Sequence, residues 1–238
     1  MLRKTQHQLI MGNILKDIYT DVTISSSLGF KGGTCAYFFY GLPRFSVALD
    51  FDLLDSDSTT QEQVLEKMTT VLQQYGTLLD TKVKRHTTFF LLSYGDADHK
   101  VKVEINTRTL HTDLRQYYKI KEYIGIAMLA GTPEYLFASK LVALSERKKT
   151  AMRDVYDIWF FGSQRWSISE QVVQERTQKD TVTYIADCIS LIEKIPDNQF
   201  LQGLGELLDS EKEKNWVKTK LKGEVLFVLR NYQSSLSK

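Results

Sequence analysis

The chain has 238 residues, 42% hydrophobic and 25% charged, which supplies enough apolar material for a sizeable core and for one large or two modest domains. A formal charge of +2 gives no global electrostatic pull toward nucleic acid, although a local basic groove stays open. Two cysteines, Cys35 and Cys188, lack any CxxC-type spacing, so neither a zinc site nor a disulfide framework is supported and a reducing cytoplasm fits. The opening segment MLRKTQHQLIMGNILKDIYTD is broken up by Gln, His, Asn and Lys and does not read as a signal peptide. No window reaches a transmembrane span, so no membrane partner is expected.

In chain order, Leu9, Ile10, Ile14 and Ile18 follow helical spacing and predict an amphipathic helix over 6–19. SSSLGFKGGT predicts a short strand running into a glycine turn, and CAYFFYG a short helix ended by Gly41 and Pro43. From Phe45 the period becomes two. Phe45, Val47, Leu49, Phe51 and Leu53 fall on one face, and Ser46, Ala48, Asp50 and Asp52 on the other. TTQEQVLEKMTTVLQQYG predicts a helix started by Thr59 or Thr60 and closed by Gly76. TKVKRHTTFFLLSYGDADHKVKVEINTR predicts a hairpin turning at GDAD. In its second strand Val101, Val103 and Ile105 alternate with Lys102, Glu104 and Asn106, so Glu104 can share a sheet face with the first acids. Beyond about residue 130 the period is helical in TPEYLFASKLVALSERKK, AMRDVYDIWFF, SISEQVVQERTQ, TVTYIADCISLIEKI and WVKTKLKGEVLFVLRNYQ. The expected division is an α/β domain over 1–128 and a helical domain over 129–238.

Carboxylates at i and i+2 of a strand point the same way, and a third from a neighbouring strand completes an oxygen set suited to Mg²⁺ (or Mn²⁺). Asp50, Asp52 and Glu104 are the candidates for holding a metal. Read as a solvated strand face, the same spacing carries no chemistry. Gly32, Gly33 and Thr34 allow close backbone approach to an anion ahead of a helix N-terminus. No Walker lysine follows them. Lys140, Arg147 and Asp154 are spaced by seven, so on one continuous helix they share a face, which a break near Thr150 would spoil. The histidines at 7, 86, 99 and 111 lack metal-ligand spacing and read as surface or structural residues.

FKGGT, RFSVALDF, KVEI and KLVALSERKKTAMRDVYDI occur in the order found in the AbiEii/AbiGii toxin family of nucleotidyltransferases, which the chain resembles from about Gly29 to Phe161. The resemblance implies an α/β fold with a nucleotidyltransferase-type mixed sheet flanked by helices, followed by a helical C-terminal region. It implies a bacterial enzyme of toxin–antitoxin and phage-defence systems that uses Mg²⁺ to move a nucleotide from an NTP to an acceptor hydroxyl, a tRNA 3′ end in some members, with a cognate antitoxin as partner. It assigns Lys31, Gly32, Gly33, Thr34, Arg44, Ser46, Lys140 and Arg147 to the nucleotide, and Asp50, Glu104, Lys140 and Asp154 to catalysis, with Asp157 behind Asp154. In this register Ala48 stands where the family carries its first metal-binding aspartate. Three explanations follow: an aspartate replaced by design, a shift of the metal pair to Asp50 and Asp52, or an enzyme that binds nucleotide without turnover. A protein hydroxyl is the other acceptor. KVKR at 82–85 and RKK at 147–149 are candidates for a basic approach surface.

Overall fold

The computed structural model describes residues 4–55, 57–95, 99–147 and 149–236. They form two compact units, one of Met1–Gly41 with Phe45–Gly131, the other of Leu42–Arg44 with Thr132–Lys238. No described helix is long and apolar enough to cross a membrane.

The first unit holds helices α1 (Lys4–Thr20), α2 (Gly32–Tyr40) and α3 (Ser58–Gln73) and strands β1 (Leu28–Lys31), β2 (Ala48–Leu53), β3 (Thr77–Lys84), β4 (Thr87–Ser93), β5 (Lys100–Asn106), β6 (Tyr118–Tyr123) and β7 (Ile126–Gly131). The strands make one mixed seven-stranded sheet in the order β3-β4-β5-β2-β1-β7-β6. β2 runs antiparallel to β1 and parallel to β5, and β1 runs parallel to β7. Phe30, Phe51, Phe90 and Val103 are fully buried on one face. The Phe30 ring there meets Phe38 and Phe39 of α2 and Phe51 of β2 with centroids 5.5 to 6.5 Å apart. Residues that alternate with these turn to the opposite face, and among them are Lys31, Ala48, Asp50, Lys102 and Glu104.

Several elements differ from the expectation for local reasons. α1 buries Met11, Ile14, Leu15 and Ile18, but Leu9 is 61% exposed. No turn separates β1 from α2, because Gly32 at φ +77° is itself the first helical residue, while Gly41 closes α2 in the left-handed conformation. α3 is capped by Asp57, whose carboxylate accepts the Thr60 N–H at 2.9 Å. The expected first strand of the hairpin is two strands, β3 and β4, joined through Arg85 and His86. Most of the GDAD turn lies outside the described residues. Residues 118–131, for which no element is expected from the sequence, form the β6–β7 hairpin, with Ile124 and Gly125 both at positive φ between the strands.

His7 is fully buried in α1, its Nε2–H donating to the Val47 carbonyl at 3.2 Å and its Nδ1 accepting from the Tyr94 hydroxyl. Burial is the main cause that pulls its pKa below the ordinary 6.5. The unfolded chain therefore binds the proton first, so the neutral ring's stabilisation is complete above about pH 6.5 and is lost as the pH falls below that value. Urea midpoints taken from pH 7.5 down to 5 are expected to fall for this chain and to fall less steeply for His7→Asn. Equal slopes would remove His7 as the source.

The second unit holds α4 (Pro133–Glu146), α5 (Met152–Ser163), α6 (Glu170–Thr177), α7 (Thr181–Glu193), α8 (Glu211–Thr219) and α9 (Leu221–Leu236). Proline opens α4, where its missing N–H costs nothing. Phe137 of α4 packs edge-on against Phe161 of α5 and Tyr232 of α9. The run expected as one helix from Trp216 breaks at Lys220 into α8 and α9. Likewise α4 stops at Glu146 and α5 starts after Ala151, so Lys140, Arg147 and Asp154 do not lie on one helix. Cys35 and Cys188 are buried free thiols, each pushed by burial to about 12.

Candidate active site

β2 and β5 carry the first set of candidates. Their parallel register sets Asp50 directly beside Glu104, Ala48 beside Lys102 and Asp52 beside Asn106. Residues so paired share a face with Cβ atoms about 5 Å apart. Asp50 and Glu104 therefore stand together, and Glu104 is held by Lys102 at 2.7 Å.

Asp52 sits on the same face with different surroundings. It is fully buried, receives Lys31 Nζ at 2.5 Å and Asn106 Nδ2 at 2.6 Å on one oxygen, and the Tyr118 hydroxyl at 2.6 Å on the other. Tyr118 reaches it by lying across Gly29, where any Cβ would run into the ring. Three donors commit the Asp52 carboxylate to the floor of the site, and Lys31, assigned to nucleotide by the resemblance, is one of them. Asn106 could have been found by extending the β5 alternation. Tyr118 could not, since it is 66 residues from Asp52 and belongs to a strand three places away.

Gly32 and Gly33 open α2, with Gly32 against the Asp50 carboxylate. The Lys31 side chain does not cap the helix, and the Asp50 carboxylate lies against its first residue. The sign of φ at Gly32, +77°, and the closeness of Asp50 both forbid a side chain, because an added Cβ would collide with the Asp50 carboxylate. Gly32→Ala is expected to cost about 1–3 kcal/mol by urea unfolding. A change under 0.5 kcal/mol would show that the turn relaxes freely. Thr34 is buried rather than open: its hydroxyl donates to the Ala48 carbonyl and lies 2.9 Å from the Ser46 hydroxyl. Thr34 and Ser46 thus clip α2 to the start of β2 through the backbone of residue 48.

Among the described residues, no group of three or more His, Cys, Asp or Glu side chains is placed to hold a metal ion. Asp50 and Glu104 supply two hard oxygens, which suits Mg²⁺ that arrives with a triphosphate and keeps other oxygens from water and phosphate. They do not make a resident cage. A carboxylate at position 48 would lie on the same face as these two.

The second set lies in the helical unit and forms an alternating row of charge. Arg44 is 3% exposed and grips Asp157 with Nε at 2.6 Å and Nη2 at 2.7 Å. Lys140 Nζ lies 3.0 Å from Asp157 and 2.7 Å from Asp154, and Arg147 Nε lies 3.0 Å from the other Asp154 oxygen. That last contact is an ion pair without hydrogen-bond alignment, since this oxygen has no hydrogen-bond partner. Burial alone would lower the Lys140 ammonium, but Asp154 and Asp157 outweigh it and hold the pKa above the usual lysine range. Burial would likewise raise Asp154, and Lys140 and Arg147 overcome it to hold that pKa down. The row ties α4 to α5. To steady a phosphate, as the resemblance implies, Lys140 would have to leave two carboxylates, and Arg44 already gives Nε and Nη2 to Asp157. Lys148 of the RKK run lies outside the described residues.

An apolar cleft of about 250 Å³ in the first unit, lined by Leu9, Gly12, Tyr123, Ile124 and Ile126 among others, contains none of these residues.

The sequence matches, over residues 13–225, the family model described as nucleotidyl transferase AbiEii toxin, type IV toxin–antitoxin system. No curated protein matches it. Among solved structures, the fold resembles a candidate nucleotidyltransferase from H. pylori, with a TM-score of 0.63 and 17% identity over 100% of this chain and 97% of that one. JHP933 from Helicobacter pylori gives a TM-score of 0.56 and 18% identity over 100% and 97%. The nucleotidyltransferase toxin MenT4 from Mycobacterium tuberculosis gives 0.56 and 15% over 94% and 83%.

Proposed function

The chain belongs to the AbiEii nucleotidyl transferase toxin family, and we propose that it moves a nucleotide from an NTP to the 3′-hydroxyl of an RNA, with tRNA as the acceptor. One observation supports this reading: Asp50 and Glu104 stand side by side on neighbouring strands, with the Asp50 carboxylate against Gly32 at the start of α2. The N–H groups opening α2 would hold triphosphate oxygens, as helix N-termini do. Asp50 and Glu104 would hold Mg²⁺ (or Mn²⁺), which supplies charge neutralisation at the phosphates. The acceptor oxygen bonds to the α-phosphorus, the α–β bridging bond breaks, pyrophosphate leaves, and one of these carboxylates takes the hydroxyl proton. Lys31, Asn106 and Tyr118 keep Asp52 in place beneath them. A cognate antitoxin is the partner that membership implies.

Ala48 favours a second reading, that the chain as written binds NTP with little turnover. Incubation of total bacterial RNA with each α-labelled NTP, using this chain, Ala48→Asp and Ala48→Asp/Asp50→Asn, separates them. Label on a discrete RNA with Ala48→Asp, lost in the double variant, supports the transferase. Label on protein instead moves the acceptor to a Ser, Thr or Tyr hydroxyl. No label anywhere, with NTP still bound, leaves the binding protein.

A further inference from the structure

The face that bears Asp50 and Glu104 continues across β4 to the edge of the sheet. Register carries one row from Asp50 to Glu104, to Phe89, to Lys82. Two neighbouring rows run Ala48, Lys102, Leu91 and Asp52, Asn106, Thr87, Lys84. Phe89 thus lies two strands from Asp50, about 10 Å away at the usual strand spacing. The next residue, Phe90, is fully buried in the core, whereas Phe89 keeps part of its ring open. Two ammonium groups flank that ring, Lys102 Nζ at 5.5 Å from its centroid and Lys84 Nζ at 6.0 Å. The Lys102 side chain is 42% exposed and the Lys82 side chain 57%.

We infer that Phe89, with Lys84 and Lys102, is the platform on which the single-stranded end of the nucleic-acid acceptor rests: a base stacks on the ring and the adjoining phosphates meet the two lysines. The inference rests on the transferase reading, which puts the reacting atoms over Asp50 and Glu104, and it specifies how the acceptor is held there. A cation at this distance over a partly exposed ring contributes less than a base stacked on it, so a nucleobase displaces the ammonium from the ring face while the lysine retains its phosphate. The Lys102 head is also held by Glu104 at 2.7 Å, so Lys84, on the edge strand, is the cation over the ring whose place that ion pair does not account for. A hydroxyl-bearing peptide offers neither the flat base nor the phosphate charge that this pairing fits.

The test is fluorescence anisotropy with a labelled 12-nucleotide single-stranded RNA at several salt concentrations, on the full chain, Phe89→Ala, Phe89→Trp and Lys84→Ala, with a fluorescent NTP analogue titrated in parallel. Phe89→Ala is expected to weaken RNA binding about tenfold, and Phe89→Trp to retain it. Lys84→Ala is expected to reduce the slope of log affinity against log salt by about one. NTP affinity should stay the same in all three. RNA binding that is undetectable in the full chain, or unchanged in Phe89→Ala with the salt slope unchanged in Lys84→Ala, overturns the platform. If Phe89→Ala fails to fold, Phe89→Leu and Lys84→Ala carry the decision. A failed transferase reading looks different, since RNA binding would then depend on Phe89 while Ala48→Asp labelled nothing.

Discussion

Ala48→Asp is expected to raise NTP-dependent labelling of RNA by about 10²–10³-fold, in the range lost when one charge-stabilising group leaves an active site. The site is built to receive the change. Residue 48 shares the open sheet face with Asp50 and stands opposite Lys102, whose ammonium is held by Glu104. A new carboxylate would find a cation beside it and draw that cation from Glu104, leaving Glu104 more open to metal. The backbone there is already fixed, because Thr34 donates to the carbonyl of residue 48 irrespective of its side chain. Stability should therefore move by under about 1 kcal/mol while the rate moves by orders of magnitude. Initial rates at saturating NTP decide it. If Ala48→Asp is no faster than the parent and Asp52→Ala abolishes what activity exists, the metal pair has moved along β2. The buried setting of Asp52 argues for the opposite result, a variant that loses stability before anything else.

Arg44→Ala is expected to destabilise the protein by about 3–5 kcal/mol, the usual cost of leaving a buried charge without its partner. Asp157 is fully buried, and two of its short hydrogen bonds come from the Arg44 guanidinium. Lys140 cannot replace that fork, since its single ammonium is shared with Asp154. Arg44→Lys should recover only part of the loss, because an ammonium cannot make the planar bidentate contact. At this chain length the drop in melting temperature is expected to be about 6–20 °C. A loss of NTP affinity with stability intact would show that Arg44 serves the nucleotide and that its grip on Asp157 is incidental.

The chemical face was legible in the sequence because period-two alternation is a property of the backbone. It placed Ala48, Asp50 and Asp52 together and let Glu104 join them without knowledge of the sheet order. Strand order and cross-strand register were not legible, which is why the row continuing to Phe89 and the Tyr118 bond to Asp52 needed the structure. Asp50 and Asp52 looked equivalent by spacing. They differ because Gly32 keeps Asp50 over a helix start, while Lys31, Asn106 and Tyr118 enclose Asp52. In the helical half, the spacing by seven suggested one helix. The chain instead reverses between Glu146 and Met152, and the same charges meet across a helix pair. The period-two signal did not extend to 123–131, so the hairpin of β6 and β7 was not anticipated.

Leu42–Arg44 counts with the helical unit although the chain on either side of it counts with the sheet unit. Three residues of one body are thus enclosed in the gene segment of the other. A truncation beginning at Thr132 would omit the guanidinium that Asp157 needs, and a truncation ending at Gly131 would carry an arginine whose acid has been left behind. Shuffling modules between relatives at that junction would break an ion pair unless position 44 travelled with the helices.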